Sequence, residues 1–159
     1  LVAATALQAG GEKEYDAIFE LQLEDGKDTA TCILTIDQSS RVLPEIDLRM
    51  REEQYRLLDA DGSTEQRDGR LYWEPTKGRS QLRYEVVLTQ PRGTAFDGLV
   101  TSDWAIFRGD DLFPTTLVDD AVTAKSRSRL RLILPEGWSA ITPFRRDRNG
   151  EGKGEWMVD

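Results

Sequence analysis

Apolar and polar residues alternate one by one along several stretches of this chain, and a period of two is the mark of a half-buried β-strand. Between residues 15 and 23, Tyr15, Ala17, Phe19, Leu21 and Leu23 share one face, Asp16, Glu20 and Gln22 lie on the other, and Ile18 is out of phase. Residues 29 to 36 repeat the pattern, with Ala30, Cys32, Leu34 and Ile36 on one face and Thr29, Thr31 and Thr35 opposite. Ile46, Leu48 and Met50 alternate with Asp47 and Arg49, Tyr55 and Leu57 begin a short run, and Leu71-Tyr72-Trp73 makes another. Leu82, Tyr84, Val86 and Leu88 alternate with Gln81, Arg83 and Glu85, then Leu130, Leu132 and Leu134 with Arg129 and Arg131. Glu155-Trp156-Met157-Val158 is the last short piece. Asp25-Gly26, Asp61-Gly62 and Asp68-Gly69 punctuate these runs, and Asp-Gly suits the tight turn of a hairpin. No long capped stretch has the helical period. Short strands spaced by roughly 8–12 residues with turn signals predict an all-β fold, either an antiparallel two-sheet sandwich or a saddle-like open barrel.

The 159 residues suit one domain. A chain of this size buries about 68–70% of its unfolded surface, so it needs no metal or disulfide as a staple. Residues 13–159 form the expected β domain. Residues 1–12 stand apart, because Leu1 to Gly11 carry none of the 50 charges of the chain. Small residues near a cut after Ala6 or Ala9 follow a short apolar run, as in the tail of a secretory signal, although the positive leading region is missing. The other reading of this piece is a disordered or vector-derived terminus. From about 89 to 123 the alternation fails at Pro91, Gly93, Gly98, Gly109 and Pro114, yet Phe96, Leu99, Trp104, Ile106, Phe107, Leu112 and Phe113 crowd the segment. A disordered linker would not hold so many bulky apolar groups. This is an ordered, loop-rich excursion that packs on the sheets or presents a surface to a partner.

Composition removes several chemistries. Histidine is absent, so the chain cannot supply a Ser-His-Asp triad, a Cys-His dyad or a histidine-ligated zinc. Cys32 is the single cysteine, which excludes an internal disulfide and a cysteine-rich zinc site. Its place on the apolar face predicts a buried, inert thiol. A net charge of −8 opposes nucleic-acid binding, which needs a basic face toward phosphate. No run of apolar residues is long enough to span a membrane as a helix.

Candidate sites are few. Asp59-Ala60-Asp61-Gly62 opens like a calcium loop but lacks the later acids, so a hairpin turn explains it. Asp147, Asn149 and Glu151 alternate in a Gly-rich loop that reads as a solvated loop before it reads as a cation site. Asp110-Asp111 and Asp119-Asp120 are carboxylate pairs with nothing beside them to position a substrate. Arg108-Gly109-Asp110 matches the integrin tripeptide at the level of chance. No catalytic residue, metal ligand or cofactor is assigned. One charge asymmetry stands out: residues 125 to 148 carry +5, which leaves −13 for the rest of the chain. Arg127, Arg129 and Arg131 share one strand face there, either as a solvated outer face or as a docking face for an acidic partner. With Trp104, Phe107 and Phe113 they are the candidate partner-docking residues.

Three stretches, taken in order, resemble the amino-terminal β domain of the glycyl aminopeptidase-like metallopeptidases. Tyr55-Arg56-Leu57-Leu58-Asp59-Ala60-Asp61-Gly62, then Leu71-Tyr72-Trp73 and Leu82-Arg83-Tyr84-Glu85-Val86, is similar to that domain's strand, Asp-Gly turn, Trp strand and Tyr-x-Val strand. Trp104-Ala105-Ile106-Phe107 through Asp111-Leu112-Phe113-Pro114 resembles its aromatic segment. Leu132-Ile133-Leu134-Pro135-Glu136-Gly137-Trp138 with Thr142 resembles its Leu-Pro-x-Gly-Trp strand end. After Leu43-Pro44 the family shows a Pro-Gly-x-Tyr element where this chain has Glu45-Ile46-Asp47-Leu48. The family's zinc site, a His-Glu-x-x-His helix with a further Glu, has no counterpart here.

The resemblance implies a non-catalytic half, cut before a catalytic domain that would be its partner. The expected function is therefore a scaffold or substrate-orienting β domain of an exported metallopeptidase-like protein, periplasmic or secreted. The alternative is a free-standing module that binds peptide or glycan through Trp104, Phe107 and Phe113, and a weaker third is an enzyme using carboxylates alone. One structural expectation accompanies these. Pro135 cannot donate to a ladder, so the strand should end at Leu134-Pro135, and Gly137 should let Trp138 fold back on the core.

Overall fold

The computed structural model describes residues 13–118, 124–146 and 154–158. The chain forms β1 (Lys13–Leu23), β2 (Thr29–Gln38), β3 (Ile46–Leu48), β4 (Tyr55–Ala60), β5 (Ser63–Arg67), β6 (Arg70–Glu74) and β7 (Gly78–Val87). The excursion continues as β8 (Gln90–Arg92), β9 (Ala95–Val100), β10 (Ala105–Ile106), the single-turn helix α1 (Gly109–Leu112) and β11 (Thr116–Val118). β12 (Ala124–Ile133), β13 (Arg145–Arg146) and β14 (Glu155–Val158) complete the described elements.

The strands make a seven-stranded sheet in the order β13-β14-β12-β1-β2-β7-β4, a four-stranded sheet β11-β3-β6-β5, and a three-stranded sheet β10-β9-β8. The larger two face each other across one core. Ala17 and Leu21 of β1, Cys32, Leu34 and Ile36 of β2, and Leu82, Tyr84 and Val86 of β7 meet Ile46, Leu48, Leu71 and Trp73 of the second sheet. Alternation thus becomes burial as the sequence predicts, and the all-β expectation holds in its sandwich form, with no closed barrel among the described residues. In β2, Ile33 and Thr35 are buried on the outer face as well. Their register neighbours there are long side chains, Glu20 and Arg83 beside Ile33 and Gln81 beside Thr35. Such chains cover apolar surface with their stems. The Cys32 thiol is fully buried, and burial pushes its pKa up to about 12.

One pairing departs from the antiparallel expectation. β1 lies between β2, antiparallel, and β12, parallel. Parallel neighbours need a long crossover rather than a hairpin. Here the crossover is almost the whole of the rest of the domain, which period-two reading of each strand does not register. The turns also divide. Asp68-Gly69 joins β5 to β6 as a two-residue hairpin with Arg67 opposite Arg70. Asp25-Gly26 lies in the longer loop 24–28. Asp61-Gly62 is not a hairpin: it carries the chain from β4 in the large sheet to β5 in the second. The hydrogen bonds at that corner involve Asp61, whose carboxylate accepts from the Gln81 amide at 2.9 Å and whose carbonyl accepts from the Trp73 indole at 2.8 Å.

The described residues of the excursion, 89–118, are ordered, as expected. Leu112 joins the main core, and Phe107 and Phe113 pack against it. A short helix leaves its last carbonyls without partners. Here Gln54 Nε2 and Tyr55 Oη both donate to the Asp111 carbonyl at 2.9 Å, and Tyr84 Oη donates to the Leu112 carbonyl at 3.0 Å. These donors tie α1 to the start of β4 and to the interior of β7.

Candidate binding groove

Among the described residues the second sheet stops at β11, so it does not cover the β1, β12 and β14 end of the large sheet. There an open apolar groove of about 570 Å³ remains. Its floor is the core face of the large sheet: Phe19 and Leu23 of β1, Leu130 and Leu132 of β12, then Leu134 and Val158. Its near wall is the excursion, with Ile106, Phe107, Leu112 and Phe113. Phe19 and Phe113 meet edge to face, their ring centroids 5.2 Å apart, a favoured aromatic geometry. The far lip is the segment after β12, through Trp138, Ile141 and Phe144. Ile106 and Ile141, on opposite lips, are exposed.

Among the described residues, Asp110 is the one charged group in the lining. It is held by Arg108, Nη2 to Oδ2 at 2.7 Å and Nε to Oδ1 at 3.1 Å. The Arg-Gly-Asp tripeptide is therefore closed on itself at the start of α1. Asp111 does not join Asp110 as a paired site. Its Oδ2 is buried without a hydrogen bond, and burial, then the charge of Asp110, raises its pKa above the ordinary carboxylate value. Asp119-Asp120, the Asp147, Asn149 and Glu151 loop, and residues 1–11 lie outside the described residues.

The six candidate docking residues are not one surface. Phe107 and Phe113 meet in the groove. Trp104 is half-exposed outside its lining, its carbonyl accepting from the Thr101 amide at 2.9 Å. Arg127, Arg129 and Arg131 alternate with Leu130 and Leu132 and so project from the other face of the large sheet. They form a ladder with carboxylates of the neighbouring strands. Arg127 Nε is 3.1 Å and Arg129 Nη2 3.9 Å from Asp16 Oδ1, and Arg131 is 3.2 Å from Glu20 Oε2 and 2.6 Å from Glu155 Oε1. The parallel register sets Asp16 beside Arg127 and Glu20 beside Arg131. Glu155 is buried, so its carboxylate depends on Arg131. Arg131→Met is expected to cost about 1–3 kcal/mol, the penalty for stranding a buried polar group. Arg127→Met, at an exposed pair, is expected to cost about 0–1 kcal/mol. Urea unfolding of the two variants checks this, and equal losses would remove the structural role of Arg131.

Trp138 departs from its expected place. β12 ends at Ile133, and the Trp138 amide closes a turn on the Pro135 carbonyl at 3.1 Å. The indole then lines the groove, half-buried, instead of joining the core. The turn delivers the ring to the groove that Leu130 and Leu132 floor. Trp138→Ala is expected to cost about 1–2 kcal/mol, below the ~3–5 kcal/mol of a buried aromatic. Thermal unfolding measures it, and a loss in the upper range would place the ring in the core.

Ile141 and Phe144 are groove residues that strand periodicity does not reveal. Leu134 continues the Leu130-Leu132 parity one step past the strand, which is a usable signal. Ile141 and Phe144 lie in an irregular stretch with no period to read.

The fold defines a class, an all-β sandwich with one large mixed sheet. No family model and no curated protein matches the chain. Among solved structures, an aminopeptidase N family protein from Idiomarina loihiensis is similar, with a TM-score of 0.63 and 14% identity. The match covers 90% of this chain and 27% of that one, so this chain spans about a quarter of the neighbour's length. At that identity the likeness is one of fold.

Proposed function

We propose that this chain is a non-catalytic β domain of an exported metallopeptidase-like protein, where it braces the catalytic domain and orients substrate. The observation that carries the reading is the fold match to an aminopeptidase N family protein over 90% of this chain but only 27% of its neighbour. Those proportions suit one domain of a larger peptidase-like protein. Two features of the sequence agree: histidine is absent, and the first eleven residues are uncharged. The catalytic zinc site then belongs to another part of the parent, and this domain supplies a rigid frame with an apolar groove.

The test is the reading frame downstream of codon 159. A His-Glu-x-x-His pattern with a further Glu within the next few hundred codons supports the proposal, and a stop codon directly after residue 159 overturns it. Fractionation of cells expressing the whole frame tests export, with the protein expected in the periplasm or medium.

A further inference from the structure

The groove borders an edge of the second sheet. Among the described residues, β11 is the edge of the second sheet, paired with β3 on one side only. The direction of its free backbone groups is set by one hydrogen bond, the Arg49 amide to the Thr115 carbonyl at 3.0 Å. Bonded and non-bonded pairs alternate along an antiparallel ladder. Arg49 and Thr115 are a bonded pair, so Leu117 turns its N–H and C=O toward Asp47, while Thr116 and Val118 turn theirs away from β3. Beyond that free side lies the uncovered floor of β1, β12 and β14, and the Thr116 side chain lines the groove. Leu117 and Val118 are exposed. A free edge carrying apolar side chains is a template for another strand.

We infer that the groove takes an extended peptide, uncharged and with apolar side chains at alternate positions, which adds as a strand to the free edge of β11. Strand addition joins main-chain hydrogen bonds along an edge to pockets for every second side chain. Both halves are present: outward groups at Thr116 and Val118, and a floor made by Phe19, Leu130 and Val158. Charge complementarity sets the chemistry of the occupant. Asp110 is already neutralised by Arg108, so among the described residues the lining offers no free charge to a partner. The peptide is a separate molecule, a stretch of peptidase substrate. Its identity as substrate rests on the proposed function, whereas its binding rests on the edge and the groove.

The test uses this chain alone, so its outcome is independent of any domain encoded downstream of codon 159. A short fluorescein-labelled peptide of alternating valine and threonine is titrated with the protein and its anisotropy monitored. Saturable binding is expected. The same peptide N-methylated at alternate backbone nitrogens should bind about tenfold more weakly or worse, since each lost backbone bond is felt. Thr116→Pro removes an amide that faces the free side and leaves the bonds to β3 in place, so it should weaken the unmodified peptide similarly while near-ultraviolet dichroism stays unchanged. If that variant fails to fold, the N-methylated peptide decides. Absence of binding, or equal binding of both peptides, overturns strand addition. A stable dimer in sedimentation that the peptide cannot dissociate also overturns it, by giving the edge to a second copy.

Discussion

Replacing Trp73 by alanine is expected to destabilise the domain by about 3–5 kcal/mol, the range for emptying the site of a large buried aromatic. Trp73 is 0% exposed near the end of β6, opposite Ile46 of β3 and Thr64 of β5. Two effects add. The indole leaves a cavity between two sheets that cannot close on it, because both are fixed by their own ladders. Its N–H also donates to the Asp61 carbonyl at 2.8 Å, and that acceptor loses its partner. A domain has about 5–15 kcal/mol in total, so the variant should lie near the edge of folding. Urea denaturation monitored by circular dichroism measures the loss. Trp73→Phe, which keeps most of the apolar volume but not the donor, should cost less. A Trp73→Ala loss under about 1 kcal/mol would mean that the sheets are not packed on this ring.

Gly62→Ala is the second large effect, expected at about 2–4 kcal/mol from strain and clash together. Gly62 has φ +93°, a conformation that side chains rarely adopt, and a Cβ there would sit 2.1 Å from the Glu74 carbonyl oxygen. The strain of such a backbone costs about 1–3 kcal/mol by itself. The clash is with backbone, so relief requires moving β6 against the β4–β5 corner, where Trp73 and Asp61 are joined. The effect therefore reaches beyond the turn. Thermal unfolding is the measurement, with Gly26→Ala as the comparison, since nothing lies within 4 Å of a Cβ at that turn. Equal losses at the two sites would remove the packing part of the argument and leave backbone conformation alone.

Much of the sandwich is legible in the sequence because burial on one face of a strand repeats every second residue. Ala30, Cys32, Leu34 and Ile36, and likewise Leu82, Tyr84 and Val86, all lie in the core where their parity puts them. Pairing is less legible. Nothing in β1 or β12 alone says that they are neighbours, and the complementary rows Asp16 and Glu20 against Arg127 and Arg131 become a signal only once the parallel register is known. The groove is less legible still. Phe107 and Phe113 stand out as bulky residues in an irregular segment, but which of these aromatics turn inward depends on the polar ties of α1 to Gln54, Tyr55 and Tyr84. Trp104 has the same composition around it and faces out. The arginines read as a docking face for the same reason that they make a ladder: one strand face, one charge.

The position of β1 has a consequence for how the chain is made. β1 is the first described strand, yet it sits inside the large sheet and finds one of its two partners in β12, across contacts 111 residues apart. At about 5–20 residues per second, roughly 6–22 s of synthesis separate the two strands. Throughout that time the ribosome displays β1 with one long edge unpaired. Contacts so distant in sequence also slow folding once the chain is complete. Birth of the domain is thus a wait for its own far end, with β1 held exposed until β12 emerges.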